Sequence, residues 1–319
     1  MEAHRWRTWR TAMAEALYGE NGFYTSAGAP RRNFRTSAHA SPLWATAIWT
    51  LARRVDEALG SPESFTVVDV GAGGGELLNA LSALVPRTWS LVGVDLAPRP
   101  EGLDPGVRWS DITPDGIDGL IIANELLDVV PVDVVERIDG MPRQVEVTPA
   151  GEEEIAGLVT GRDAQWLSTW WPLMEDGDRA EIGWARDDLW RELTGRLRRG
   201  VAAAIDYAAD PAHDLAGTMT GYRDGRQVDP VPDGSCDITA HVVFNSLVEA
   251  DDVVMSQRDA LLTLGLTASP PSYDGDPTSY LSELAASGEA AELLDPDGLG
   301  GFTWLLHGVD ISPVKIMGV

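Results

Sequence analysis

The sequence predicts a doubly wound α/β sheet that carries an N-terminal helical extension and an inserted subdomain. Three observations lead there. Short β-branched runs alternate with helical apolar stretches between residues 41 and 131. A glycine-rich turn, Gly71-Ala72-Gly73-Gly74-Gly75, joins the first of these runs to a helical pattern. The alternation breaks off near Val132 and resumes at Val201, the mark of an insertion.

Taken in order, residues 3–17 place Trp6, Trp9, Met13, Ala16 and Leu17 on one helical face, and this helix is expected to dock its tryptophans on the body of the protein. Residues 22–41, rich in Gly, Ser, Thr and Arg, read as a loop. Ser41 and Pro42 supply an N-cap and a first-turn proline for a helix striped by Trp44, Ile48, Leu51, Val55 and Leu59, with Gly60 at its stop. The run ending at Val70 is the first core strand, and two more strands are expected at 89–95 and 119–123. A hairpin at 132–147, an acidic Trp-rich stretch at 151–178 and a helix near 187–199 stopped by Gly200 form the insertion. The sheet resumes at 201–208. A loop at 217–236, helices near 239–250 and 256–264, a Pro270-Pro271 break and a last strand at 302–309 complete the chain.

Composition narrows the function classes. Of 319 residues, 44% are apolar and 23% charged, enough for a substantial core. No apolar run approaches the roughly 18 residues of a membrane span. The N-terminus lacks the apolar core of a secretory signal, so a cytoplasmic location without a membrane partner is expected. The net charge is −26, and since residues 1–60 carry eight Arg against five acids, the remainder carries −29. Such a field repels phosphate and argues against a general nucleic-acid partner. It is expected as a solvated surface, with docking of a basic partner as the alternative. The single Cys236 leaves no disulfide framework, and the five histidines (His4, His39, His213, His241, His307) lack ligand spacing, so no metal is expected.

Ligands of open α/β sheets bind at the carboxyl ends of the strands. There the first strand meets Asp69-Val70-Gly71-Ala72-Gly73-Gly74-Gly75-Glu76. A dinucleotide fingerprint, counted from Gly71, would need glycine where Glu76 stands, and a carboxylate in the first helical turn opposes a phosphate. G-x-G-x-G after an acid is instead the form used for S-adenosylmethionine (SAM), with Gly71, Gly73 and Gly75 offering bare backbone. Asp95 ends the second expected strand, placed to accept from ribose hydroxyls. Asp111 could accept from the adenine amino group, with Trp109 offering its ring to the base. Asn124, Glu125 and Asp128 follow the next strand, where the methyl group would lie, and Asp206 exits the strand after the insertion. A solvated loop acid for Asp111, and helix capping for Asn124 and Glu125, are the structural alternatives.

Several stretches together resemble the MidA family of SAM-dependent methyltransferases. They are Gly22-Phe23-Tyr24-Thr25-Ser26, Phe34-Arg35-Thr36-Ser37, the glycine loop, the Asn124-Glu125…Asp128-Val129-Val130-Pro131 element and Ile205-Asp206-Tyr207. Gly217-Thr218-Met219, Asp237-Ile238-Thr239-Ala240-His241-Val242 and Gln257-Arg258 follow in family order. The family's mitochondrial relative is an arginine methyltransferase that helps assemble respiratory complex I. Arg32-Asn33-Phe34, His39 and Ala208 depart from the family's Gly-Asp-Phe, glutamate and glycine. The resemblance implies a Rossmann-like class I methyltransferase sheet, SAM as cofactor and a protein acceptor with an arginine-containing or basic segment. The expected domains are then an extension and substrate-side loop at 1–60, a SAM-binding core at 61–131, an insertion serving as lid or substrate wall at 132–199, and the rest of the core at 200–319.

A guanidinium acceptor is cationic, so carboxylates must orient it and keep its charge away from the attacking nitrogen. Glu125 and Asp128 would share a face if the chain turned helical after Asn124. Glu125 is expected as the principal clamp, with Asp128 second and Asp206 as a further contact. His241, expected just inside a helix, and Trp166, Trp170 and Trp171 read as structural. A SAM-binding assembly factor without turnover and a nicotinamide oxidoreductase are the competing readings.

Overall fold

The computed structural model describes residues 6–25, 42–270 and 276–319. They form two compact units whose segments interleave along the chain. The larger gathers residues 42–125, 193–206 and 248–319, and the smaller gathers 6–25, 126–192 and 207–247. These groupings cut across the expected boundaries at 60, 132 and 200. Residues 6–25 join the strands after residue 132 because Arg7 and Thr8 pair with Val147 and Glu146.

The larger unit is built on a seven-stranded sheet: β1 (Thr66–Val70), β2 (Ser90–Val94), β3 (Arg108–Ser110), β4 (Ile117–Asn124), β5 (Leu197–Asp206), β6 (Val253–Ser256) and β7 (Thr303–Val309). Their order is β6-β7-β5-β4-β1-β2-β3. Neighbours among β1 to β5 are parallel, while β7 runs antiparallel to both β5 and β6. The strand order reverses between β1 and β4, the switch point where such sheets open a crevice. β1, β2 and β4 read as near-continuous apolar runs because both sheet faces are covered. At the amino ends the three central strands crowd together. A Cβ on Gly119 (φ +152°) would lie 1.9 Å from the Thr66 carbonyl oxygen, and one on Gly200 (φ +139°) 1.9 Å from that of Gly119.

Helix α1 (Pro42–Ala58) buries Trp44, Ile48, Leu51 and Val55 as its stripe predicts, and Gly60 takes the left-handed conformation after its end. Trp44 meets Trp304 of β7 edge to face at 5.4 Å, and Trp304 donates to the buried Gln257 at 3.1 Å. Helix α2 (Glu76–Ser82) follows the glycine loop, and Ser256 caps α3 (Gln257–Thr263) by accepting from the Asp259 N–H. Helix α4 (Pro277–Leu293) has no counterpart in the sequence reading. It buries only Ala290 and Leu293 and leaves Leu281 and Leu284 exposed, so its apolar periodicity is faint.

The smaller unit holds the expected hairpin, now seen as Asp133–Ile138 paired with Met141–Val147, within a five-stranded sheet. Its core joins Trp9, Met13 and Leu17 to Val132, Val134, Val145 and Ile238, and a second cluster gathers Trp166 and Trp171 around Val135 and Ile182. Four expectations change. The first helix begins only at Trp9, capped by Thr8, because Arg7 and Thr8 are strand. The helix expected near 187–199 runs Trp184–Gly195, and Gly200 lies inside β5 rather than ending a helix. The 217–236 loop contains a hairpin turning at Asp224-Gly225, both at positive φ, as an Asp-Gly turn requires. No helix spans 239–250: Asp237–Thr239 is strand, and the Ala240 and Val242 N–H groups donate to Asp128 and Tyr207 carbonyls instead of closing helical turns.

Candidate active site

The carboxyl end of β1 delivers Asp69 and the glycine loop. Gly71, Gly73 and Gly75 have φ of +74°, +53° and +75°, so the loop turns left-handed at alternate residues and favours glycine at each. Gly71 and Ala72 donate to the Val94 carbonyl at 2.8 and 3.2 Å, which fixes the loop against β2. A Cβ on Gly75 would strike Leu103 at 2.6 Å, but one on Gly73 would meet nothing within 4 Å. A side chain at Gly75 would have to displace the end of Leu103, whereas Gly73 borders open space.

Asp95, just past β2, is held by main-chain donors. Its Oδ2 accepts from Gly73 N–H and its Oδ1 from Ala97 N–H, both at 2.8 Å. Each oxygen keeps lone-pair capacity for a further donor. Burial pushes its carboxyl up despite these bonds. Asp69 is buried more deeply and stands beside Asp95 and Glu76; burial and then those two charges push it up to about 8. Trp109 donates to the Ala97 carbonyl at 3.0 Å, and its ring packs beside Gly93. Asp111 is exposed.

At the end of β4, Asn124 donates from Nδ2 to Glu125 Oε1 at 3.0 Å, while its buried Oδ1 has no hydrogen-bond partner among the described residues. Glu125 sits at φ +51°, a strained conformation for a residue with a side chain, and its N–H donates to Ile205 of β5 at 2.9 Å. No helix follows, so the expected sharing of a helical face by Glu125 and Asp128 does not occur. Asp206 ends β5 fully buried.

Asp128 belongs to the smaller unit, where burial, opposed by the Arg186 charge, pushes it up to about 6. Arg186, 2% exposed, donates to the carbonyls of His241 at 2.6 Å and Asp128 at 3.0 Å. Asp237 accepts from the Tyr24 hydroxyl at 2.7 Å, and burial together with the Asp128 charge pushes it up to about 7. His241 stacks on Tyr207 with ring centroids 5.7 Å apart, and burial lowers its pKa. Glu181 accepts from the Thr218 and Met219 N–H groups, and Thr218 in turn accepts from His241 N–H. Sequence reasoning assigned no role to Arg186 or Glu181 and read Asp237 only as a possible cap for a helix that does not form, since nothing local marks an arginine that bonds carbonyls more than fifty residues away. Phe34 to Ser37 and His39 lie outside the described residues. Among the described residues no group of His, Cys, Asp and Glu could hold a metal ion, and no helix is long and apolar enough to cross a membrane.

A family model described as "Putative S-adenosyl-L-methionine-dependent methyltransferase" matches residues 95–258. The chain is similar to a protein from Burkholderia thailandensis crystallised with S-adenosyl-homocysteine: 26% identity, TM-score 0.80, covering 95% of this chain and 88% of that one. A native structure of a protein of the same superfamily from that organism gives 26% identity and TM-score 0.79, over 98% and 90% of the two chains. None of the curated proteins matches.

Proposed function

The chain belongs to this family of S-adenosyl-L-methionine-dependent methyltransferases, and on that premise we propose that it methylates an arginine side chain of a protein. The observation that carries the reading is the chemistry of the glycine-loop crevice. Its side chains are acceptors: Asp69, Asp95, Glu76 and the unsatisfied Oδ1 of Asn124. A pyrophosphate would be repelled by that set, which removes the nicotinamide alternative. An α-ammonium, ribose hydroxyls, an amino group and a sulfonium suit it. The open space at Gly73 fits a ligand lying against bare backbone. The residues present thus fit SAM, with Gly71, Gly73, Gly75 and Asp69 toward its amino-acid part, Asp95 toward the ribose, Asp111 toward the adenine and Asn124 near the sulfonium. When bound, it supplies a methyl group activated by positive sulfur.

The acceptor end of the reading rests on Glu125, just past β4, and Asp206, at the end of the adjacent parallel strand β5. A carboxylate paired with a guanidinium localises charge on the nitrogens it bonds and leaves the third freer to attack: a nitrogen–methyl bond would form as the methyl–sulfonium bond breaks, and the proton of that nitrogen would pass to Glu125 or Asp206. The strained φ of Glu125 aims a charged side chain at a cost that capping alone does not explain, because no helix follows it.

Labelled SAM incubated with the protein and lysate of a deletion strain should deposit label on arginine in one or a few proteins. Glu125→Gln should slow transfer by about ten- to a hundredfold, the loss of one charge-assisted bond, while SAM affinity stays within about twofold. Label on another residue type refutes the arginine reading. Loss of SAM affinity in the variant makes Glu125 a brace for Asn124 instead.

A further inference from the structure

The smaller unit buries a second acidic site that the cofactor chemistry does not use. Asp237 opens the strand Asp237–Thr239 and is 2% exposed. Its Oδ2 accepts from the Tyr24 hydroxyl, while its Oδ1, also buried, has no hydrogen-bond partner among the described residues. Asp128, itself 5% exposed, stands near enough for its charge to act on both Asp237 and Tyr222. Tyr24 stacks on Tyr18 with centroids 5.6 Å apart and planes 18° off parallel.

A buried carboxylate with an idle oxygen is costly, and the cost is usually met by a cation or a full set of donors. Arg186, the buried cation that acts on Asp128, directs its bonds to main-chain carbonyls, and no ion pair reaches Asp237 among the described residues. A buried carboxylate bonded by a tyrosine hydroxyl and felt by a second buried carboxylate suits a planar cation, whose fork of N–H donors can satisfy an idle oxygen and whose face can lie against a ring. An ammonium supplies charge but no such face. An anion is excluded by the two acids.

We propose that Asp237, oriented by Tyr24 and reinforced by Asp128, binds a guanidinium side chain of the protein acceptor. The proposal deepens the function above and rests on its reading of an arginine-bearing acceptor. Asp237 is then a specificity-determining residue, and Tyr24 a positioning residue that acts through it.

The test uses the full chain and two blocked tripeptides, Gly-Arg-Gly and Gly-Lys-Gly, titrated by calorimetry in the presence of S-adenosyl-homocysteine. The wild type should bind the arginine peptide at least tenfold more tightly than the lysine peptide. Asp237→Asn should weaken arginine-peptide binding about tenfold or more, and Tyr24→Phe about threefold, with S-adenosyl-homocysteine affinity unchanged. In turnover with a protein acceptor, Asp237→Asn should raise KM far more than it lowers kcat. Equal binding by wild type and Asp237→Asn overturns the proposal, as does no preference for arginine over lysine. If Asp237→Asn does not fold, Tyr24→Phe decides alone: unchanged peptide affinity in that variant overturns the proposal. Asp237-dependent peptide binding without any methyl transfer would refute the proposed function and leave this site standing. Transfer that ignores Asp237→Asn would do the reverse.

Discussion

Around the glycine loop, main-chain N–H groups hold a carboxylate: Asp95 accepts from Gly73 and Ala97. In the smaller unit, main-chain carbonyls hold a guanidinium: Arg186 donates to His241 and Asp128. The first arrangement uses donors from a short stretch of chain and keeps the adjoining space at Gly73 clear. The second ties together segments from distant parts of the sequence and fills its interior with side chains. A site framed by backbone tolerates change in side chains but not in glycines, whereas a site framed by one arginine depends on that arginine for stability.

Replacing the arginine should produce the largest effect. Arg186→Met leaves the His241 and Asp128 carbonyls without their buried donor and the Asp128 carboxylate without the neighbouring positive charge, a loss of about 3 kcal/mol or more. A thermal melt should fall by about 6–12 °C. A shift within about 2 °C would mean that the two regions are held alike after all.

The glycine loop should respond in binding before it responds in stability. Gly73→Ala introduces a Cβ into open space at φ +53°, with a strain of about 1–2 kcal/mol, and SAM affinity should fall about a hundredfold. Gly75→Ala, whose Cβ meets Leu103, should instead cost mainly melting temperature. Equal SAM affinity in Gly73→Ala and wild type, read by calorimetry, would remove the placement.

The smallest effect sharpens the contrast from a third place. At the amino ends of the strands Asp118 bonds Arg198 and Arg199, both at 2.6 Å, and the side-chain bond to Arg198 does most to lower its pKa, to about 2. Because the folded value lies below the unfolded one, the pair stabilises above about pH 4, and that stability is lost as pH falls toward 2. With Arg198 and Arg199 side chains 63% and 37% exposed, solvent screening leaves about 1 kcal/mol. Asp118→Asn should flatten the acid limb of an unfolding-versus-pH curve by that amount, and an unchanged limb would count against the pairing.

What could be read in advance follows the same division. The stripe of α1, the glycine loop and the apolar runs of β1, β2 and β4 are set by neighbours within a few residues, so local pattern reveals them. The position of Asp95 was legible because a strand and a turn place it. Asp237 and Tyr24 are more than two hundred residues apart, and Arg186 reaches a carbonyl 55 residues away. Periodicity carries no trace of such pairings. Residues 239–250 look helical by composition, but the Ala240 and Val242 N–H groups are claimed by the Asp128 and Tyr207 carbonyls, a tertiary competition that propensity does not register.

The crowding at Gly119 and Gly200 acts as a ruler for the whole crevice. Gly200 lies opposite Gly119, and counting five residues along both strands brings Ile205 opposite Asn124. At about 3.3 Å per residue, that is roughly 16 Å from the glycine pair to the crevice floor. A slip of one residue would set a side chain against a carbonyl at the glycine pair and turn the side chains of β5, Asp206 among them, to the other face of the sheet. The height of the acidic rim is thus calibrated from the far end of the strands, by two residues with no side chains of their own.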